Sequence, residues 1–417
     1  SDGEWIPGGL YFYWNYCPIW QTLETGIDKG GKTRGERVYE FPKPWLGDYL
    51  FYHYMEQGRE AGQHGKLLKT RGVGFEQPHS EKVKTFTGEK TVGEIKIGDR
   101  LIGIDGKETT VLEVYSQGLK DVYEVELMDG RKIRCGKDHL WYVKNLTKRD
   151  KKKARPVRLS EMIEKGLYWD INGGNNKMYK YKIPKQAPVD YPEKELPIHP
   201  YILGLLIGDG TLTTRNIKIA TKDKFIIEEI ERLLPEYSLN KDTTNCNYLF
   251  VSRNRFNATE EDLKKYKNSQ YGLNKLKREI EFLGLNVKCS SKFIPEIYKM
   301  GSIEQRFALL QGLMDSDGSV NFNGNKEFSN SNLTLIKDVS DVVRSLGMKC
   351  RLSEGRPLRE KEWRGRGTVT CQQEYRLHII TNEVIFRLPR KAERCIVRKI
   401  FEDSAIINIK KLDYQEE

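Results

Sequence analysis

The feature that most constrains how this chain folds is an internal repeat. The segment Ile202–Gly210 reads Ile-Leu-Gly-Leu-Leu-Ile-Gly-Asp-Gly, and Leu310–Gly318 reads Leu-Gln-Gly-Leu-Met-Asp-Ser-Asp-Gly. Their aspartates, Asp209 and Asp317, stand 108 residues apart, and a stretch with helical periodicity follows each copy. Two consecutive copies of one order of elements predict a pseudo-two-fold domain built from halves of about 100 residues.

Each repeated segment is predicted to be an apolar helix that ends at its Asp-Gly. Gly204 and Gly208 lie four residues apart and so share a helix face, as do Gly312 and Ser316 in the second copy. Small residues on one face let two helices approach closely, which would bring the two aspartates together. Two close carboxylates repel unless they share a proton or a cation. We therefore predict a Mg²⁺ site and a catalytic pair suited to in-line phosphodiester hydrolysis.

Both segments resemble the LAGLIDADG motif of homing endonucleases, and two copies in one chain resemble the single-chain form of that family. The resemblance covers residues 198–390. It implies a pseudo-two-fold αββαββα domain whose strands form a saddle in the DNA major groove, with metal-bound Asp209 and Asp317 beneath it. The alternative is that the two segments are unrelated helix ends, which a single match of this kind would not exclude.

The resemblance also implies which residues read the DNA. Strands in the major groove reach base edges through Arg, Lys, Gln and Asn side chains. The alternative for any one of them is an ordinary solvated strand face. The candidates that follow the two motifs are Arg215, Asn216, Lys218, Asn323, Asn325 and Lys326.

Two lysines are implied to be catalytic. Lys292-Phe-Ile-Pro295 lies ahead of the second motif and resembles the Lys-x-x-Pro segment of intein endonucleases, and Lys391 falls late in the domain. A lysine near the scissile phosphate would stabilise developing charge or polarise water. The alternative is a surface lysine that contacts phosphate without taking part in the chemistry.

Residues 76–165 resemble the first part of a Hint domain, the all-β fold of inteins. Short apolar alternations are separated by Asp105-Gly106 and Asp129-Gly130, which are strong hairpin signals. The match continues through Cys135-Gly-Lys-Asp-His-Leu-Trp141. In inteins the histidine at this place is catalytic, so His139 is implied to protonate the leaving amide nitrogen at the splice junction. A structural histidine is the alternative.

Two departures from the intein pattern are visible. Counting back from the first match puts the splice junction at Phe75 and Glu76, and glutamate cannot act as the usual Cys or Ser nucleophile. Either that residue has been lost, or the chain resembles class 3 inteins, in which Trp141 would pair with an internal cysteine. A late intein strand is expected after Cys395, but the terminal His-Asn is absent. The chain is therefore expected to be the N-terminal part of a split or truncated intein.

The segment Lys66–Phe75 resembles the phosphate-loop region of phage terminase large subunits. Lys69, Arg71, Gly72 and Gly74 would line the phosphates, although a generic Gly-rich basic loop remains the alternative. Because the loop is interrupted at its last residue, we expect no ATPase activity.

The composition of the chain indicates which kinds of partner it binds. Lys+Arg number 71 and Asp+Glu 59, a net charge of +12, which favours an anionic partner, and double-stranded DNA first. The 7 cysteines contain no CxxC pair, so a disulfide framework and a zinc knuckle are not expected. The longest apolar runs are far shorter than the ~20 residues that span a bilayer, so we expect no membrane partner. The cysteine pattern fits a reducing cytoplasm, and the terminase resemblance implies a phage-infected or prophage-bearing bacterial host.

The predicted fold class is multidomain α+β, with an all-β Hint domain interrupted by the endonuclease and preceded by a terminase fragment. A separate C-terminal intein fragment is a candidate partner. The alternative functions are a catalytically inactive DNA-binding or structural insert, and a terminase ATPase fragment. The predicted boundaries are 1–75 (terminase fragment), 76–165 (Hint domain), 166–197 (linker), 198–390 (endonuclease) and 391–417 (later Hint strand).

Overall fold

The structure is a computed structural model of the 417-residue chain, which divides into two compact units, Ser1–Val73 and Gly74–Glu417. In the first unit, strands β1 (Ile19–Ile27) and β2 (Thr33–Glu40) pair as an antiparallel hairpin. The six residues of the predicted phosphate loop and splice junction lie outside the described residues. The structure describes residues 19–27, 33–40, 77–114, 118–145, 154–170, 177–242, 246–253, 275–363, 367–398, 400 and 403–416.

The second unit begins with short strands. The first four are β3 (Lys82–Thr85), β4 (Gly88–Thr91), β5 (Arg100–Ile102) and β6 (Glu108–Thr110). They form an antiparallel sheet in the order β4-β3-β5-β6. The predicted Asp-Gly hairpin turn joins the last two strands. There Gly106 has φ of +79°, and an added Cβ would overlap the carbonyl oxygen of Pro188, so only glycine fits.

The chain then forms further strands and one helix. They are β7 (Leu119–Leu127), β8 (Lys132–Gly136), β9 (Leu140–Asn145), β10 (Ala154–Arg158), α1 (Leu159–Lys165), β11 (Tyr168–Asp170), β12 (Lys177–Tyr179) and β13 (Tyr181–Ile183). The last three strands lie inside the segment that the sequence predicts to be a linker. That segment therefore contains three short strands, and its second part, residues 184–197, is mostly irregular.

The described residues between 200 and 282 form the first half of the repeat. Its elements are α2 (Pro200–Asp209), β14 (Gly210–Thr211), β15 (Lys218–Ala220), α3 (Lys224–Leu233), β16 (Tyr237–Lys241), β17 (Asn247–Ser252) and α4 (Lys275–Phe282). Helix α2 begins at Pro200, where the His199 ring nitrogen Nδ1 accepts a hydrogen bond from the Tyr201 backbone N–H at 3.2 Å.

The second half repeats this order after a short helix, α5 (Glu296–Lys299). Its helix α6 begins at a capping box formed by Ser302 and Gln305. A hairpin between β20 and β23 is the main addition. The elements are α6 (Ile303–Ser316), β18 (Gly318–Val320), β19 (Lys326–Asn330), α7 (Leu333–Ser345), β20 (Lys349–Glu354), β21 (Arg359–Trp363), β22 (Gly367–Cys371), β23 (Tyr375–Ile380) and α8 (Pro389–Ala392).

Both halves carry a four-stranded antiparallel sheet of equivalent order, β14-β15-β17-β16 and β18-β19-β23-β20. One apolar core lies between these sheets and the helices, and it includes α2 and α6. All residues of α2 from Pro200 to Ile207 are buried, which explains why this helix is apolar on every face. The pseudo-two-fold domain predicted from the repeat, with the αββαββα order that the resemblance implies, is therefore present.

The chain returns to the first region in its last described strand, β24 (Ser404–Glu416). This strand pairs with β13 at Lys182–Ala405 and with β7 along most of its length. The resulting six-stranded sheet has the order β10-β9-β13-β24-β7-β8. Because β13 and β24 are neighbours in it, the repeat domain leaves and rejoins the sheet at adjacent points. The predicted strand after Cys395 begins later than expected, at Ser404.

The six-stranded sheet has its own core, separate from that of the repeat. Residues 184–197 contact the loop between β5 and β6 on one side and the repeat on the other. Ala187 N donates to Ile104 O at 3.0 Å, and Val189 N donates to Ser345 O at 2.8 Å. The guanidinium of Arg306, which is fully buried, donates to Ser345 O at 2.8 Å and also to the backbone oxygen of Val189. No helix within the described ranges is long and apolar enough to cross a bilayer.

Candidate active site

Helices α2 and α6 meet through their small residues. A Cβ added to Gly204 would overlap the backbone oxygen of Leu309, and one added to Gly312 would overlap that of Tyr201. Near the helix ends, Gly208 faces the side chain of Ser316. The two backbones are thus in direct contact, as the spacing predicted, and they bring the carboxyl ends of both helices to one place.

Two buried lysines hold these helix ends. Lys292 Nζ donates to the backbone oxygens of Leu206, Ile207 and Gly210 at 3.0, 2.8 and 2.7 Å, with Gly208 O at 3.4 Å. The side chain of Lys292 is almost completely buried, at 2% exposure. It satisfies carbonyl groups that the end of a helix leaves without an intrahelical partner.

Lys391 does the same for α6. Its Nζ donates to the backbone oxygens of Met314, Asp315 and Gly318 at 2.9, 2.7 and 2.7 Å, with Ser316 O at 3.4 Å. Each of these four acceptors lies 108 residues after its equivalent in the first half. The repeat is therefore exact at the level of single hydrogen bonds, although the lysines themselves lie outside the repeated motif.

These contacts correct the role expected for the lysines. An ammonium group has three N–H donors, and each lysine already makes at least three close contacts with carbonyl oxygens. In this structure neither Lys292 nor Lys391 has a donor left for a scissile phosphate. Burial lowers the pKa of Lys292 and lowers that of Lys391 to about 8. Both lysines offset the negative pole at a helix C-terminus.

The two aspartates lie at these capped ends. Asp209 is the last residue of α2, and Asp317 follows the last residue of α6. Partial burial, with the negative charge of Asp317 as the next cause, raises the pKa of Asp209 to about 6. Burial also raises the pKa of Asp317, whose carboxylate accepts a hydrogen bond from Asn330 Nδ2 at 3.0 Å. The structure thus brings the predicted pair together in an environment where the charge of Asp317 opposes the ionisation of Asp209.

The donor set of this pair fits a hard divalent cation. Carboxylate oxygens are the ligands that Mg²⁺ prefers, usually one or two of them together with water and phosphate oxygens. Among the described residues, no three His, Cys, Asp or Glu side chains are placed to hold a metal ion by themselves. Asp209 and Asp317 are therefore the side chains that would hold a cation here.

A third carboxylate in the second motif has a different role. Asp315 is buried and accepts hydrogen bonds from the Tyr201 hydroxyl at 2.7 Å and from the Leu388 backbone N–H at 3.1 Å. It therefore ties α2 to α6 and to the turn that leads into Lys391. The equivalent position in the first half is Ile207. The sequence reasoning missed this residue, although the extra aspartate in Met-Asp-Ser-Asp was a visible signal.

The candidate DNA readers of the first half lie at or near the exposed side of their sheet. Arg215 and Asn216 are exposed and lie in the loop between β14 and β15, rather than in a strand. Lys218 lies on β15, where it forms an ion pair with Asp242 at 2.8 Å. Lys218 shares the open face of the sheet with Leu249, its direct partner on β17.

The candidate DNA-contacting residues of the second half fall into two groups, exposed and buried. Asn323 and Asn325 are exposed in the loop between β18 and β19. Lys326 is 3% exposed, lies on the core face of β19 with Phe328, and donates from Nζ to Thr381 O at 2.7 Å. The expectation that Lys326 reads DNA is therefore wrong, because strand alternation turns its side chain inward.

Three polar side chains on the open face of this sheet were missed. Arg351 and His378 are direct partners on β20 and β23, and Arg376 lies two residues before His378 on the same face. His378 Nδ1 is 3.2 Å from Glu327, and its Nε2 is 2.9 Å from Ser353 Oγ. The alternation in Tyr375–Ile380 was the signal that would have identified two of them.

His139 lies in the turn between β8 and β9, away from the paired aspartates. Its ring packs edge-to-face on Trp141, with centroids 5.6 Å apart. Nδ1 of His139 and Nε1 of Trp141 are buried without a hydrogen-bond partner. Burial lowers the pKa of His139 to about 4, so the ring is neutral near pH 7. Cys395 lies after α8, with Sγ 3.8 Å from Lys391 O.

Comparison with known proteins supports the resemblance drawn from the motifs. A sequence profile of the LAGLIDADG-like domain matches residues 304–391, which include Asp317 and Lys391. The replicative DNA helicase DnaB of Mycobacterium intracellulare is 29% identical over 333 residues, covering 77% of this chain and 50% of that protein. The ribonucleoside-diphosphate reductase NrdEB subunit alpha of Bacillus subtilis is 24% identical over 68% of this chain and 25% of that protein. The chain thus spans half or less of these curated relatives.

Solved structures include two kinds of neighbour. The homing endonuclease I-DmoI in complex with DNA and Ca is 17% identical, covers 47% of this chain and 95% of its own, and has a TM-score of 0.29. The MchDnaB-1 intein is 26% identical, covers 19% of this chain and 76% of its own, and has a TM-score of 0.16. Residues 304–391 thus match the LAGLIDADG-like domain, and the resemblance of the chain to an intein with such an endonuclease is supported. The terminase host stays a prediction.

Proposed function

We propose that this chain, with its LAGLIDADG domain, is an intein whose endonuclease makes Mg²⁺-dependent double-strand cuts in DNA. One observation carries the proposal. Asp209 and Asp317 lie at the ends of two helices that touch backbone to backbone, and both ends are capped by equivalent lysine contacts. Such precise repetition positions two carboxylates equally with respect to one pseudo-two-fold axis.

The symmetry suits duplex DNA as substrate. The two strands of a duplex are antiparallel and are themselves related by local two-fold axes, so two equivalent carboxylates can each face one scissile phosphate. The net charge of +12 favours binding to the phosphate backbone. Arg215, Asn216, Asn323 and Asn325 are the exposed candidates for contact with base edges.

The chain's own residues prepare the site for hydrolysis. Asp209 and Asp317 would hold Mg²⁺, which when bound supplies stabilisation of negative charge on the phosphodiester. Lys292 and Lys391 are positioning residues, since they fix the helix ends and offset the negative pole that would otherwise repel phosphate. Asn330 orients Asp317 by donating to its carboxylate.

The cleavage experiment compares the full chain with Asp209→Asn and Asp317→Asn. The substrate is duplex DNA containing the intein-less terminase sequence that joins the codons for Thr70–Phe75 to the downstream coding sequence. We expect Mg²⁺-dependent cutting by the parent and a loss of at least 100-fold in each variant, because each variant loses an essential carboxylate. Lys224→Met, which changes an exposed lysine, serves as the control. Equal cutting by all forms, or none by the parent, would contradict the proposal.

The splicing part of the proposal rests on the six-stranded sheet. Strands before and after the endonuclease, β13 and β24, are neighbours in it, so the insert interrupts one folded region. His139 is the residue we propose for splicing, at a Phe75–Glu76 junction and with a separate C-terminal fragment. The terminase host, the inactive phosphate loop and a cytoplasmic location also remain predictions. The splicing proposal predicts that flanking segments are joined only when a C-terminal intein fragment is added, and that His139→Gln abolishes the joining.

A further inference from the structure

The most exposed large apolar side chain among the described residues is that of Phe322, at 93% exposure. It lies in the loop that joins β18 to β19, between Asn321 and Asn323. A single exposed apolar residue is common on protein surfaces. The structure of the loop around it, however, indicates that the ring is presented in a fixed position.

The loop is held by its own hydrogen bonds. Asn321 Oδ1 accepts from the backbone N–H groups of Asn323 and Asn325, each at 3.0 Å. Asn321 N donates to Asn325 O at 3.1 Å, and Gly324 N donates to Asn321 O at 2.8 Å. Gly324 has φ of +72° and packs against Ile396. The backbone that carries Phe322 is therefore ordered before any partner arrives, which lowers the entropy cost of binding.

The surroundings of the ring are basic. The guanidinium of Arg394 lies 5.9 Å from the centroid of the Phe322 ring. Arg398 Nη1 donates to Asn325 Oδ1 at 3.2 Å, so a second guanidinium lies at the base of the loop. An apolar ring between amides and guanidinium groups matches the surface of duplex DNA, which offers phosphates, base edges and methyl groups together.

We propose that Phe322 contacts the C5-methyl group of a thymine in the major groove. The proposal rests on the DNA-binding function proposed above and adds a specificity-determining residue to it. Phe is one of the apolar side chains that suit the thymine methyl, and neighbouring Asn side chains suit adenine. The loop therefore reads an A·T pair.

The position of that pair follows from the chain. Phe322 lies five residues after Asp317. At ~3.3 Å per extended residue this is at most ~16 Å, or about five base pairs from the phosphate nearest Asp317. The equivalent residue in the first half is Thr214, whose hydroxyl donates to Asn216 O at 2.6 Å within its own loop. The contact of an exposed aromatic ring with thymine is therefore expected in only one half of the DNA site.

The first experiment selects bound sequences from a randomised duplex library with the full chain and with Phe322→Ala. Binding is selected rather than cutting, so the result does not depend on catalysis. We expect the parent to enrich thymine at one position within about five base pairs of one side of the site centre, and the variant to lose that preference. Phe322→Leu should keep it in part, and Leu112→Ala, which changes another strongly exposed apolar side chain, should keep it fully.

The second experiment removes only the methyl group. Uracil replaces the selected thymine, and the dissociation constants are measured for the parent and for Phe322→Ala. We expect the parent to bind about fourfold more weakly to the uracil duplex, the value for one buried methyl group, and the variant to bind both duplexes equally.

The outcomes separate the two proposals. If the parent enriches no sequence, both the DNA-binding function and the role of Phe322 are overturned. If the parent selects a site but Phe322→Ala selects the same one, or uracil is tolerated by the parent, only the thymine contact is overturned. Because Phe322 is exposed, the alanine variant should keep the thermal midpoint of the parent, which excludes unfolding as the cause of a lost preference.

Discussion

The two halves of the repeat agree in their helix ends and differ in what surrounds them. Lys292 and Lys391 make the same set of carbonyl contacts, residue for residue. Yet the second half carries a buried Asp315 where the first has Ile207. The hydrogen bonds that hold the helix ends at Asp209 and Asp317 are therefore common to both halves. The contacts of these helices with neighbouring elements differ between the halves.

The largest expected effect comes from the contact between the two helices. Gly204→Ala and Gly312→Ala each place a methyl group against backbone atoms of the opposite helix, which cannot move independently. Each should lower the free energy of unfolding by ~3 kcal/mol or more. Urea unfolding of the full chain measures this.

Gly301→Ala is the matched control, because its methyl group would first meet Gln305 Oε1, the end of a flexible side chain that can move aside. It should therefore cost less than either of the other glycine variants. An equal loss in all three would show that backbone contact is not what limits the packing.

The second prediction concerns the equivalence of the lysines. Lys292→Met and Lys391→Met keep the length of the side chain but leave several buried carbonyl oxygens without a donor. Each should lower the free energy of unfolding by ~2–4 kcal/mol, and the two losses should agree within about 1 kcal/mol. Lys224→Met, at an exposed position, should change it by less than ~0.5 kcal/mol. Clearly unequal losses would show that the two buried lysines do not contribute equally to the stability of the two halves.

Much of this comparison could be predicted from the sequence, since the repeat itself gives the order of elements and the pairing of Asp209 with Asp317. The spacing of the glycines predicted the close approach of the two helices, because small residues four apart lie on one helix face. The lysine contacts could not be predicted from spacing, because Lys292 and Lys391 are not 108 residues apart and reach the helix ends from unrelated turns. Lys326 was misassigned because proximity to a motif does not tell which strand face a side chain takes.

The third prediction concerns how the protonation of Asp209 changes stability and metal affinity with pH. The pKa of Asp209 is about 6, above its ordinary value, so the folded state binds this proton more tightly than the unfolded chain does. This carboxyl therefore makes the fold less stable as pH rises from about 4 through 6. Conversely, affinity for Mn²⁺ should fall as pH drops below 6, because the protonated acid is a poor ligand. Calorimetric titration with Mn²⁺ at several pH values measures the affinity.

The variant Asp317→Asn tests whether the charge of Asp317 contributes to the raised pKa of Asp209. It removes the negative charge that contributes to the raised pKa of Asp209, so the pKa of Asp209, followed by NMR of labelled carboxyl carbons, should decrease. An unchanged value in this variant would mean that the two carboxylates do not interact.

The smallest effect is expected where the halves differ. Tyr201 of the first half donates its hydroxyl to Asp315 of the second at 2.7 Å. Tyr201→Phe should lower the free energy of unfolding by ~1–2 kcal/mol, because a buried carboxylate loses one of its donors. A double-mutant cycle with Asp315→Asn should give a coupling energy of at least ~0.5 kcal/mol.

Tyr298→Phe is the matched control, since this buried hydroxyl bonds to the backbone of Ile198 and not to Asp315. Its effect should add independently to that of Asp315→Asn. A coupling near zero for Tyr201 would mean that the asymmetric carboxylate does not join the halves. A clear coupling would mean that the hydrogen bond between Tyr201 and Asp315 helps to hold the two halves together at their equivalent helix ends.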